Sequence, residues 1–131
     1  MAYHIDVRRK RTMAITRDEN NRVFDFDTVN ENLDRLTNVE IGRVFVSKES
    51  AKEISEVLGL DGKNEEELRA IRNAVVVTLH KIELKEAGLS EDGDEIPGVK
   101  VNYERMMFWS NKISGITAVI DEYLWKVGGI F

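Results

Sequence analysis

The most regular pattern of apolar residues lies near the end of the chain, between residues 103 and 127. There an apolar residue recurs every three or four positions, at Met106, Trp109, Ile113, Ile116, Ile120, Tyr123 and Val127. This spacing is typical of one apolar stripe on an α-helix. Asn102 precedes the stretch as a helix N-cap, and Gly128 follows it as a terminator. We therefore predict one long helix, about 37 Å long at ~1.5 Å per residue.

The opposite side of this predicted helix carries short residues between two large ones. Met107 and Trp125 point in the same direction when successive residues turn by about 100°. A strip of short residues allows another backbone to come close, either within the same fold or from a partner chain. Apolar residues at helical spacing are more often part of a core, which favours the first; the partner chain is the sharper hypothesis, which we test. The candidate oligomer interface consists of Met107, Asn111, Ser114, Gly115, Ala118 and Trp125.

The first third of the chain alternates between apolar and polar residues, which is typical of β-strands. We predict an antiparallel hairpin from residues 3–16 and 22–27, joined by the turn-forming residues 18–21. Thr28 and Glu31 have the spacing of a capping box and predict a short helix. Residues 39–46 predict a third strand.

The middle of the chain predicts two further helices. One begins at a capping box on Ser50, with Ser47 as the competing cap, and ends at Gly59. The other begins at Asn64, ends at Gly88 and has the apolar stripe Leu68, Ile71, Val75, Leu79 and Ile82. Its β-branched run 75–79 would suit a strand, but the cap and the periodicity on both sides favour a helix.

The predicted fold is therefore α+β and mostly helical. A small N-terminal antiparallel sheet packs with an antiparallel pair of long helices. The length of 131 residues fits a single domain, 1–131. Within it, residues 3–46 form the small sheet with a short helix, and residues 48–127 form the helical body.

Charge is distributed unevenly along the chain. The net charge is −5, yet residues 1–22 hold six basic and three acidic side chains, so this part carries +3 and the rest −8. The densest basic run is Arg8, Arg9, Lys10 and Arg11. Such a run either contacts phosphates or an acidic partner, or keeps the edge of a sheet from pairing with other chains.

Chemistry-bearing motifs are sparse. His80 and Glu83 lie one helical turn apart but offer only two metal ligands, and the carboxylates of residues 91–95 lack the spacing of a calcium loop. We expect no metal, no cofactor and no catalytic residues, and hence no enzyme. The absence of cysteine and of a membrane-length apolar run favours a soluble, cytoplasmic protein.

These observations predict a small, non-catalytic interaction protein that acts by binding, as a homodimer or larger homo-oligomer. Its size suits a regulator, an inhibitor or an accessory protein of a bacterial or phage system. The alternative is a nucleic-acid or nucleotide binder that uses the basic segment Arg8–Arg11. A small-molecule pocket between protomers is a third possibility. The identity of a protein partner does not follow from the sequence.

Binding of nucleic acid by the basic run would distinguish the interaction protein from the nucleic-acid binder. We expect no retention of the protein on a short DNA duplex or single strand at about 50 or 200 mM salt, because aromatic residues for base stacking are few near this run. Gel retardation measures it. Salt-sensitive binding that disappears in an Arg9→Ala, Arg11→Ala double variant would instead establish the nucleic-acid reading.

Overall fold

The computed structural model describes residues 15–42 and 46–128, and these confirm the mostly helical α+β prediction. A two-stranded antiparallel sheet precedes the helices and packs on the first of the two long ones. In chain order the elements are β1 (Thr16–Arg17), β2 (Val23–Phe24), α1 (Phe26–Glu31), α2 (Leu33–Thr37), α3 (Lys48–Leu58), α4 (Glu65–Ala87) and α5 (Tyr103–Lys126).

The two long helices, α4 and α5, form the body of the molecule. Arg105 near the start of α5 pairs with Glu86 near the end of α4, and Arg72 pairs with Asp121 at the other end, so the helices are antiparallel. Side chains buried along their contact include Leu68, Ile71, Leu79, Ile116, Ile120 and Leu124. Burying each such side chain contributes about 1.5–3 kcal/mol, whereas a partly exposed ion pair contributes about 0–1 kcal/mol. Apolar packing therefore holds the pair together.

Local signals explain why both stretches are helical. The Asn64 side chain accepts a hydrogen bond from the Glu67 amide at 2.8 Å, and the Glu67 carboxylate accepts one from the Asn64 amide at 3.0 Å. This reciprocal pair satisfies two free amides at the start of α4. Gly88, at φ +80°, ends the helix in the left-handed conformation. At α5, the Asn102 side chain accepts from the Arg105 amide at 3.1 Å. The helix prediction for residues 75–79 is confirmed.

The small sheet is held to α4 by polar contacts. Thr16 pairs with Phe24 and Arg17 with Val23 across the hairpin. The Asn73 side chain on α4 donates to the Val23 carbonyl at 2.9 Å. The predicted turn at residues 18–21 is confirmed, since the Asn21 amide donates to the Asp18 carbonyl at 3.0 Å. Most of the predicted first strand, residues 3–14, lies outside the described residues.

The second strand is shorter than predicted, because Asp25 begins a helix. Its carboxylate accepts hydrogen bonds from the Thr28 amide at 3.0 Å and from the Thr28 hydroxyl at 2.7 Å. Its own amide donates to the Ala70 carbonyl on α4 at 2.9 Å, which ends the ladder. The predictions of a strand to residue 27 and of Thr28 as the helix cap are therefore wrong. Asp25 caps the helix instead of Thr28, because it comes earlier in the chain and already lies beside α4.

At the start of α3, Ser47 and not Ser50 is the cap. The Ser47 hydroxyl accepts from the Ser50 amide at 3.1 Å. The Ser50 hydroxyl is instead buried and donates to the Glu40 carbonyl at 2.6 Å, which anchors the incoming segment. Farther along α3, the hydroxyls of Ser55 and Tyr123 lie 2.6 Å apart and join this helix to α5.

The predicted third strand, residues 39–46, is not a strand where it is described. Residues 39–42 and 46 form no strand, and residues 43–45 lie outside the described residues. The segment crosses α5 at Gly115, where an added Cβ would lie 2.6 Å from Ile41 Cγ2 and 3.1 Å from Val46 Cγ2. Packing on the helix replaces pairing in a sheet.

This crossing predicts that the effect of replacing Gly115 on stability depends on the side chain of Ile41. Alanine in mid-helix gains about 0.5–1 kcal/mol over glycine, but overpacking costs about 1–3 kcal/mol. Gly115→Ala should therefore lower the free energy of unfolding by about 1 kcal/mol in the native chain, and should have a smaller effect in an Ile41→Ala background, where the 3.1 Å approach to Val46 Cγ2 remains. Urea unfolding measures both. The same effect in the two backgrounds would contradict the close approach.

Candidate functional site

Most of the predicted interface residues do lie on one exposed side of α5. Met107 is 65% exposed and Trp125 is 75% exposed. Ser114 and Ala118 between them are also exposed, and Asn111 is half-buried. The structure thus places large apolar side chains in solvent at both ends of a strip of short residues.

Gly115 differs from its neighbours in this strip. It is buried beneath Ile41 and Val46 of the same chain, so the close approach predicted for it occurs within the fold. At about 100° per residue, Gly115 lies about 80° around the helix from Met107, which is the physical reason that it leaves the exposed side.

Tyr103 extends the exposed side by one turn and was not among the residues predicted for the interface. Its side chain is 68% exposed and precedes Met107 by four residues. That i, i+4 spacing was the available signal. We name this surface the outer face of α5. It consists of Tyr103, Met107, Asn111, Ser114, Ala118 and Trp125.

Beside the outer face, an open groove of about 740 Å³ is lined by residues 37–41 on one side and by α5 on the other. We name it the α5 groove. Its α5 wall consists of Glu104, Met107, Phe108, Asn111 and Lys112. Two of these, Met107 and Asn111, also belong to the outer face, so the two surfaces share an edge.

Lys112 is the unusual residue of this groove, because it is only 6% exposed. Its ammonium donates to the Thr37 carbonyl and lies 4.9 Å from the centroid of the Phe108 ring. Within the described residues no carboxylate forms a salt bridge with it. Burial, together with the nearby charge of Arg105, lowers the pKa of Lys112 below its ordinary value. This burial could not be predicted from the sequence, since an isolated lysine in a helix is normally exposed.

A second cation lies at the same aromatic ring. The Arg105 guanidinium carbon is 4.5 Å from the Phe108 centroid, and its Nε donates to Glu86 at 2.8 Å. The buried Trp109 indole N–H completes no hydrogen bond of normal geometry with a described residue. The indole N–H nonetheless faces the Glu86 carboxylate. Trp109 and Arg105 together lower the pKa of that carboxyl. Phe108 is therefore held between aromatic and cationic neighbours.

The remaining candidates from the sequence do not converge on a site. His80 Nδ1 lies 2.9 Å from the buried Glu83 carboxylate, and no group of three or more metal-ligating side chains occurs in the described part of the chain. Residues 91–95 are all exposed. The basic run Arg8–Arg11 lies outside the described residues. None of the described helices has both the length and the apolarity to cross a membrane.

The burial of Lys112 predicts that its effect on the free energy of unfolding depends on pH. Its pKa is lower in the folded chain than in the unfolded chain, so the unfolded chain binds more protons between the two values. Stability therefore rises as pH increases through that interval, up to the ordinary lysine value of about 10.4. Relative to a Lys112→Met variant, the native protein should gain stability as pH rises toward that ordinary value. Urea unfolding of both proteins at several pH values measures this, and a difference that does not change with pH would contradict it.

Comparison with known proteins finds no relative for this chain. No protein-family model matches the sequence. No curated protein and no solved structure matches it either. Within the described residues, the features that bear on function are the two surfaces of α5, the outer face and the α5 groove.

Proposed function

We propose that this protein is a non-catalytic, cytoplasmic interaction protein that acts by binding and works as a homodimer joined through the outer face of α5. A regulator, inhibitor or accessory factor is the kind of protein that this description fits. The observation that carries the proposal is the exposure of Met107 at 65% and Trp125 at 75% on one side of one helix.

Exposed apolar side chains of this size favour an interface. Tryptophan and tyrosine are enriched among the residues that contribute most to binding. Tyr103, Met107 and Trp125 are all more than half exposed on the outer face. Between them Ser114 and Ala118 are short, so another helix could approach to about 8 Å.

The order of residues along the outer face favours a second copy of the same chain as the partner. A two-fold interface must be complementary to itself. Met107 and Trp125 each lie nine residues from Ile116, about 13 Å along the helix, and Ser114 and Ala118 each lie two residues from it.

Two antiparallel copies of α5 centred on Ile116 would therefore match at each level. Met107 of each chain would lie opposite the partner's Trp125, and Ser114 would lie opposite the partner's Ala118. Apolar residues meet apolar ones, short residues meet at the closest point, and no like charges oppose one another.

Nucleic-acid binding through Arg8–Arg11 remains the alternative function. Because this run lies outside the described residues, the retardation experiment described above is its test. The outer face itself does not favour a phosphate backbone, since its large side chains are apolar and it carries no lysine or arginine.

The dimer predicts the effect of a charge at the centre of the outer face. Ala118→Arg should convert a dimer into a monomer at about 100 μM, because an arginine at the point of closest approach blocks the partner and meets its own copy. Trp125→Ala should weaken the dimer by at least about tenfold. Sedimentation velocity measures both, with circular dichroism to confirm an unchanged helix content.

Asn30→Arg is the matched control, since Asn30 is exposed on α1 and the change in charge is the same. It should leave the dimer intact. A monomeric native protein at this concentration, or a dimer that Ala118→Arg leaves unchanged, would refute the proposed interface.

A further inference from the structure

The α5 groove contains a buried cation with unused hydrogen-bond donors. The ammonium of Lys112 has three N–H donors, and within the described residues only the Thr37 carbonyl accepts from it. Lysine is seldom buried without a charged partner, because desolvating an ammonium costs free energy. The 6% exposure of Lys112, its place in the groove wall and its lack of a described carboxylate together indicate a site for an anion.

The rest of the wall indicates the body of the ligand. Phe108 is 43% exposed and Met107 is 65% exposed, and Ile41 lines the same groove from the opposite side. A volume of about 740 Å³ lies within the usual range for small-molecule sites, about 300–1,000 Å³. We propose that the α5 groove binds a small organic monocarboxylate with an apolar body, whose carboxylate accepts hydrogen bonds from Lys112.

The charges of the groove, one lysine and two glutamates, limit the ligand to a single negative group. Glu40 and Glu104 also line the groove, both are exposed, and neither forms a salt bridge with a described residue. One carboxylate would neutralise Lys112. A second would face these glutamates, so dicarboxylates and phosphate dianions are disfavoured.

The anion-binding group of this site lies away from the proposed dimer interface, although the two surfaces share Met107 and Asn111. Lys112 lies about 140° around α5 from Met107, so it is on the groove side and not on the outer face. Binding should therefore persist in the Ala118→Arg variant. Loss of the dimer with retained binding, or the reverse, distinguishes a failure of one proposal from a failure of the other.

The test uses 3-phenylpropionate as the probe, 3-phenylpropionamide as its neutral analogue and phenylsuccinate as a dianion. The readout is the pair of ¹H–¹⁵N amide NMR signals of Phe108 and Lys112, followed in the native protein and in the Ala118→Arg variant. We expect saturable shifts with 3-phenylpropionate, and at least about tenfold weaker binding of the amide, because a charge-assisted hydrogen bond is lost. Phenylsuccinate should bind more weakly than the monocarboxylate and gain affinity in Glu104→Gln.

Variants of lysine locate the site. Lys112→Met should reduce the affinity for 3-phenylpropionate by at least about tenfold while the protein stays folded, and Lys48→Met should not change it. Lys48 is the matched control because it is exposed on α3 and does not line the groove. The proposal is overturned if 3-phenylpropionate produces no saturable shift, if the amide binds equally well, or if Lys112→Met leaves the affinity unchanged.

Discussion

The packing of α5 on α4 is the interaction on which the other features depend. One stripe of α5, including Ile116, Ile120 and Leu124, is buried in that contact. This fixes the rotation of the helix, so the residues opposite the stripe must point away from the core. Along the outer face no described element of the chain covers Met107 or Trp125. Both proposed surfaces are consequences of this one rotation.

The segment that crosses α5 at Gly115 then divides the uncovered side in two. Residues 37–41 lie against the flank of the helix and leave the groove in which Lys112 is buried. The outer face beyond them is free to meet a partner. Gly115 allows this division, since a side chain at that position would move Ile41 off the helix. Its role is therefore within the fold, although it was predicted as part of the subunit contact.

The sequence predicted the features that depend on near neighbours. The Asn64 cap, the helical reading of residues 75–79 and the common direction of Met107 and Trp125 all follow from spacing within a few turns. It did not predict the crossing at Gly115 or the burial of Lys112, because both arise from an irregular segment distant in sequence. Where two local signals competed, as at the start of α1, tertiary contact with α4 decided between them.

The central claim, an antiparallel dimer centred on Ile116, is tested most directly by cross-linking. The chain contains no cysteine, so Met107→Cys and Trp125→Cys each introduce a single thiol. The two sites lie about 27 Å apart along α5. In the proposed dimer, a mixture of the two variants brings unlike thiols together and leaves one native Met107–Trp125 contact intact. We predict a disulfide-linked heterodimer from the mixture and no cross-link from either variant alone. Equal cross-linking of one variant with itself, or none in the mixture, would contradict the account.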